Sequence, residues 1–153
     1  MRKIVIISDT HGNYSCVEKL LPIINESDYL FHLGDHDSDI KVFERNIKAE
    51  IFSVKGNCDG GGDDVVIEID GVKILITHGD RYGVKSSLYK LTLRAKELDV
   101  KVVLYGHTHI SNILEIDGII YCNPGALSRY GQSSYGYALI YDGKISLSIV
   151  PQL

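Results

Sequence analysis

A chain of 153 residues with 44% hydrophobic and 24% charged residues has the length of one domain and the composition of a globular fold, which argues against a disordered protein. Its 16 Lys and Arg against 20 Asp and Glu leave a formal charge of −4, which argues against a broad surface for duplex nucleic acid. With no leader-like or membrane-spanning apolar run, and with Cys16, Cys58 and Cys122 too few and scattered for a disulfide framework or thiolate zinc knuckle, the expectation is one cytoplasmic domain over residues 1–153 with no membrane partner.

Lys3-Ile4-Val5-Ile6-Ile7 is a mostly β-branched apolar run and reads as a buried strand. It opens into Ser8-Asp9-Thr10-His11-Gly12, a carboxylate and an imidazole at a strand end, where an α/β protein places its chemistry. Ser15 and Glu18 have the spacing of a capping box, and Val17, Leu20, Leu21 and Ile24 recur at helical spacing, so a helix is expected from there to near Asn25. Tyr29 to Leu33 reads as a second strand, ending at Gly34-Asp35. Asp37 or Ser38 is placed to cap a short helix with Ile40, Phe43 and Ile47 on one face. Glu50 to Val54 is a third strand, ending at Gly56-Asn57-Cys58-Asp59. This βαβαβ opening implies a parallel sheet with right-handed crossovers.

Gly60-Gly61-Gly62 is followed by Asp63 and Asp64, which would repel phosphate, and it lacks the Lys-Ser/Thr of a P-loop, so it reads as a turn. Val65 to Ile69 and Val72 to Thr77 flank Asp70-Gly71, a hairpin signal, and the second run ends at His78-Gly79-Asp80. Ser86 or Ser87 is expected to open a helix carrying Leu88, Leu91, Ala95 and Leu98, with Lys85, Lys90, Arg94 and Lys96 forming a solvated face. Lys101 to Tyr105 reads as a strand running into Gly106-His107-Thr108-His109. Two more hairpins are expected around Asp117-Gly118 and Asp142-Gly143, separated by the turn-rich stretch from Asn123 to Arg129. Parallel units and hairpins in one chain suggest two sheets packed face to face with helices outside.

Asp9, His11, Asp35, Asn57, His78, His107 and His109 therefore all stand at strand ends, and parallel strands can bring such ends together. Seven oxygen and nitrogen donors exceed one tetrahedral zinc and suit two ions that share a carboxylate. The mixed set without thiolate fits Mn, Fe, Ni or Zn. On an extended strand His107 and His109 would share one face. His32, inside a strand, reads as core, and His36 as either surface or a neighbour of the site. Asp35-x-Asp37-x-Asp39 fails as a calcium loop because Ile40 stands where Gly is needed.

Asp9-Thr10-His11, Gly34-Asp35, Gly56-Asn57, Thr77-His78-Gly79 and Gly106-His107-Thr108-His109, in this order, resemble the calcineurin-like metallophosphoesterases. Gly56-Asn57-Cys58-Asp59, and Asn123-Pro124-Gly125 followed by Ser128-Arg129, resemble the small YfcE-type phosphodiesterase branch. The resemblance implies an α/β fold, a four-layer αββα sandwich with two mixed β-sheets. It implies one metal on Asp9, His11, Asp35 and His109 and a second on Asp35, Asn57, His78 and His107, with Asp35 bridging. Two divalent ions are expected, Mn2+ first, with Ni2+, Fe2+, Co2+ and Zn2+ as alternatives.

The implied reaction is hydrolysis of a phosphodiester by hydroxide activated at the dinuclear centre, with Asn57, Asp35 and His78 as catalytic residues. Asn57, Cys58 and Arg129 are candidates for contact with a small phosphodiester, such as a nucleotide, and Asp59 is placed to orient a ligand. Cys58 stands where larger members carry the histidine that serves the leaving group; a thiol substitutes poorly, so activated leaving groups should be favoured. Asp80 stands where small members often carry His. A non-catalytic scaffold of the same fold, a nuclease and a phosphomonoesterase are the alternatives, and the hairpin edges of the tail leave a homo-oligomer open.

Overall fold

Ile4 and Ile6 face one way from the first strand and Val5 and Ile7 the other, and all four are fully buried. The structure, a computed structural model, describes residues 1–128 and 133–152. The first sheet contains β1 (Arg2–Ile7), β2 (Tyr29–His32), β3 (Glu50–Ser53), β9 (Ser134–Tyr141) and β10 (Lys144–Pro151), in the order β10-β9-β1-β2-β3. β1, β2 and β3 are parallel, and the β9–β10 hairpin runs antiparallel beside β1. The second sheet contains β4 (Val65–Ile69), β5 (Val72–Ile76), β6 (Val102–Leu104), β7 (Asn112–Ile116) and β8 (Ile119–Asn123), in the order β4-β5-β6-β8-β7. Here β5, β6 and β8 are parallel and the edges β4 and β7 antiparallel.

Three apolar clusters make the four layers. Ile4, Ile6, Phe31, Ile74, Ile76 and Leu104 meet between the sheets. Val5, Ile7 and Leu30 pack outward against Val17, Leu20 and Ile24 of α1 (Tyr14–Asn25). Leu75, Val103 and Tyr121 pack outward against Leu91 and Ala95 of α2 (Tyr89–Leu98). Burying each such side chain is worth roughly 1.5–3 kcal/mol, so a strand apolar on both faces is held firmly at the centre. The arrangement is the four-layer αββα sandwich with two mixed sheets.

All three Asp-Gly pairs turn hairpins, with both residues at positive φ: 46° and 85° at Asp70-Gly71, 51° and 80° at Asp117-Gly118, 54° and 71° at Asp142-Gly143. The helix starts differ from expectation. α1 is preceded by Asn13, and Ser15 bonds the Asn13 side chain instead of closing a capping box with Glu18. The segment after β2 is a 3-10 helix, Asp37–Asn46, in which residues three apart eclipse, so Ile40 and Phe43 still share one face. α2 begins at Tyr89, after the 3-10 turn Asp80–Tyr82 and further turns, later than Ser86 or Ser87. Among the described residues, no helix is long and apolar enough to cross a membrane.

Candidate metal centre

The loops after β1, β2, β5 and β6 meet at one edge of the sandwich because the parallel strands of each sheet end there. They are tied across the gap between the sheets. His78 Nδ1 lies 2.7 Å from the Leu33 carbonyl oxygen, and the His107 N–H donates to Asp9 Oδ2 at 3.1 Å. Close approach is built into the glycines: a Cβ at Gly56 would collide with Asp35 Oδ1, and one at Gly106 with Ser8 Oγ.

Five of the seven expected donors sit in left-handed backbone, with φ of 55° at Asp9, 45° at His11, 61° at Asp35, 71° at His107 and 63° at His109. Such residues cost about 1–3 kcal/mol each and gather where a site needs side chains aimed off the regular strand direction. His107 and His109 are therefore not on one strand face: the loop turns between them and sends them to different groups.

Asp9, His11, Asp35 and His109 bring one donor atom each within 4.8 Å of one another, and so do Asp35, His78 and His107. Asp35 belongs to both groups; its Oδ2 lies 3.6 Å from His11 Nε2 and 3.4 Å from His78 Nε2. In the first group Asp9 Oδ1 is 3.2 Å from His109 Nε2, which is 3.3 Å from His11 Nε2. In the second, His78 Nε2 is 3.1 Å from His107 Nδ1 and 3.0 Å from Asn57 Oδ1, so Asn57 joins it.

The chemistry of these atoms fits a cation in each group. The Leu33 carbonyl can only accept, so His78 carries a proton on Nδ1, which leaves Nε2 as its coordinating nitrogen. Nε2 lies 3.0 Å from the Asn57 carbonyl oxygen and 3.4 Å from the Asp35 carboxylate, so three atoms of the kind a cation takes face one another. Asp9 Oδ1 is buried and makes no hydrogen bond among the described residues. Spacings near 3.0–3.4 Å are those of neighbouring ligands on an ion held at about 2.1 Å.

Neighbouring groups fix the charges. Burial pushes the Asp9 carboxyl up, opposed by the Ser8 hydroxyl, which donates to Oδ2 at 2.6 Å. For Asp35 burial also acts upward, but the Cys58 N–H at 2.9 Å and the facing histidines bring it below the usual range. The His107 imidazole is lowered, first by burial. Among the described residues Asp59 bonds backbone and no candidate ligand side chain. It accepts from the His36 N–H at 2.7 Å and the Gly56 N–H at 3.0 Å, joining the loops after β2 and β3, and these bonds outweigh burial and hold it low. Cys58 is exposed at the rim, its Sγ 3.9 Å from Asn57 Nδ2, and its thiol is pushed up by desolvation and the Asp35 carboxylate. Arg129 lies outside the described residues.

Sequence reasoning missed several supporting residues. Thr10, His32 and Asp39 form a buried polar chain behind His11. Asn123, inside the stretch read as a turn, ends β8 and donates to the Gly106 carbonyl at 3.1 Å and to Thr108 Oγ1 at 2.9 Å, shaping the loop of His107 and His109. A buried-run Asn before Pro-Gly was the available signal.

The model of the calcineurin-like phosphoesterase superfamily domain matches residues 2–143. The chain belongs to that superfamily. Among curated relatives it is 35% identical over 128 residues to the Bacillus subtilis protein named "Probable metallophosphoesterase YsnB", covering 81% of this chain and 74% of the relative. It is 33% identical over 149 residues to a phosphodiesterase of Methanocaldococcus jannaschii, covering 84% and 86%. A solved phosphoesterase-like protein of Streptococcus pneumoniae TIGR4 superposes with a TM-score of 0.80 at 28% identity, covering 98% of this chain and 89% of that one. Vps29 of Entamoeba histolytica superposes at 0.76 with 22% identity, covering 99% of each, a likeness of fold alone. As a calcineurin-like phosphoesterase the chain is an enzyme of the hydrolase class, and its family works with divalent metal ions, for which the two donor groups are the candidate ligands.

Proposed function

We propose that this phosphoesterase is a phosphodiesterase with a dinuclear centre, one ion on Asp9, His11, Asp35 and His109 and the other on Asp35, Asn57, His78 and His107. The observation that carries the reading is the sharing of Asp35 between two donor groups, beside a buried Asp9 oxygen that makes no hydrogen bond. Bound ions, Mn2+ first, with Ni2+, Fe2+, Co2+ or Zn2+ as alternatives, would supply Lewis-acid charge and a water acidified towards a pKa of about 7.

The chain's own residues prepare that place. Asp35 uses Oδ1 for the Cys58 N–H and so keeps Oδ2 turned to both groups. His78 is locked by Leu33 with Nε2 facing inward. Asn57, exposed beside His78, offers its amide N–H to a phosphoryl oxygen, and Cys58 lines the same rim as a neutral thiol. Arg129 is kept as a phosphate clamp on its sequence position alone. A small phosphodiester, such as a nucleotide, suits a chain of net charge −4 better than a duplex does. One domain over residues 1–153 and a reducing, cytoplasmic setting are supported by a core shared between both sheets and by three free cysteines. A scaffold of the same fold would have no use for a buried carboxylate oxygen that makes no hydrogen bond and faces two histidines.

The test is hydrolysis of bis-p-nitrophenyl phosphate by chelator-stripped protein with Mn2+ restored. Turnover that needs the metal and disappears in Asp35→Asn supports the reading. A folded protein inactive with every one of the five metals would overturn it in favour of the scaffold.

A further inference from the structure

We propose that Asp39, acting through Thr10, is a positioning unit for the His11 ligand, so that it sets affinity at one of the two metal sites and not at the other. The inference rests on the dinuclear reading above.

Asp39 is 2% exposed, and no ion pair to it is found among the described residues. Burying a carboxylate without a cation is costly, so its hydrogen bonds must be good. Two of them fall on one oxygen: the Thr10 hydroxyl donates to Oδ2 at 2.6 Å and the Gly12 N–H at 2.7 Å. Thr10 and Gly12 are the residues on either side of His11, whose own φ is 45°. A single oxygen thus clamps the backbone on both sides of a residue held in a strained conformation.

The hydroxyl of Thr10 has a defined direction. The Gly34 N–H donates to His32 Nδ1 at 3.0 Å, so the His32 proton is on Nε2, which lies 3.1 Å from Thr10 Oγ1. His32 therefore donates to Thr10, and Thr10 turns its one proton to Asp39 Oδ2, its nearest acceptor at 2.6 Å, ahead of the carbonyl oxygens of His36 at 3.1 Å and Asp35 at 3.5 Å. The Asp39 N–H in turn bonds the His36 carbonyl at 2.9 Å, so the clamp also ties the His11 loop to the loop of Asp35. Among the described residues no hydrogen bond of Thr10, His32 or Asp39 reaches the side chains of Asn57, His78 or His107, and Thr10 meets the shared Asp35 only at its backbone carbonyl, at 3.5 Å.

The experiment is titration of chelator-stripped protein with Mn2+, counting free ion by electron paramagnetic resonance, with folding followed by circular dichroism. The wild type should take up two ions. Thr10→Val, which keeps the shape and removes the hydroxyl, should weaken one ion by about 10–100-fold and leave the other unchanged, the usual loss when a ligand's hydrogen-bonded support is removed. Thr10→Ser should restore it. Asp39→Asn, which keeps an acceptor oxygen, should retain both ions, and Asp39→Leu should match Thr10→Val. In a His109→Ala background, already impaired at that site, Thr10→Val should leave the remaining ion untouched.

Folded Thr10→Val protein that holds both ions as tightly as the wild type, or weakens both equally, overturns the proposal. Should Asp39→Leu fail to fold, the Thr10 pair decides. A wild type that takes up a single ion breaks the dinuclear reading. The clamp then stands only if Thr10→Val weakens that ion as His11→Ala does, and falls otherwise.

Discussion

His78 of the second sheet places its Nδ1 2.7 Å from the carbonyl oxygen of Leu33 at the end of the first sheet's β2. This bond sets the tautomer of a candidate ligand and joins the two halves of the sandwich at the site. It depends on Gly34, whose φ is 101° and where a Cβ would stand 2.7 Å from both His78 Nδ1 and the Gly56 nitrogen. Gly34→Ala is therefore expected to cost at least about 1–3 kcal/mol and to weaken metal uptake. Urea melts check it through a lowered midpoint at unchanged slope; an unchanged midpoint would show that the junction is loose.

Asp9→Asn should separate stability from function. The amide keeps an oxygen for the Ser8 hydroxyl and the His107 N–H, and turns an N–H towards His109 Nε2, 3.2 Å from the present Oδ1. Replacing a buried carboxylate whose Oδ1 makes no hydrogen bond should stabilise the metal-free protein by roughly 1–3 kcal/mol. Added Mn2+ should raise the melting temperature of the wild type by more than that of the variant, which keeps only the donor group of Asp35, His78 and His107. A metal-free variant less stable than the wild type would contradict this.

His32 gives a pH dependence with a definite sign. Burial, its largest influence, pushes the imidazole down from 6.5 to about 3, so the folded protein leaves it neutral. The unfolded chain takes up a proton below 6.5 that the folded chain refuses until about 3. Its contribution is fully present above 6.5 and is lost as pH falls through that window, on the order of several kcal/mol in all. Denaturant melts across the window should show a shallower acid loss for His32→Gln than for the wild type; equal slopes would mean that another group carries the effect.

Cys58 predicts a leaving-group dependence. A neutral thiol at the rim protonates a departing oxygen poorly, so rates should fall steeply as the leaving group becomes more basic. Cys58→His should flatten that dependence and speed poor leaving groups by about 10²–10⁴-fold. A series of substituted aryl phosphodiesters measures it, and equal slopes for both proteins would remove Cys58 from the leaving-group side.

Local patterns were the legible part of this sequence. The β1 run and the three Asp-Gly turns are decided by side-chain period and backbone preference within a few residues, and they formed where expected. The convergence of the seven donors followed from one rule, that parallel strands end on one edge. The helix starts were not legible: Ser15 found Asn13 before it could cap anything, and residues three apart fit a 3-10 helix as well as an α-helix around Ile40 and Phe43. Asp39 shows the deeper limit. Within its own segment it matched only a failed calcium loop, because its partners Thr10 and Gly12 lie 29 and 27 residues away and no local spacing encodes that contact.

The most direct measurement is anomalous X-ray diffraction from crystals of the protein grown with Mn2+ after chelation. Two anomalous peaks are expected, one among Asp9, His11 and His109 and one among Asn57, His78 and His107, with the Asp35 carboxylate between them. A single peak, or peaks away from Asp35, would contradict the dinuclear centre.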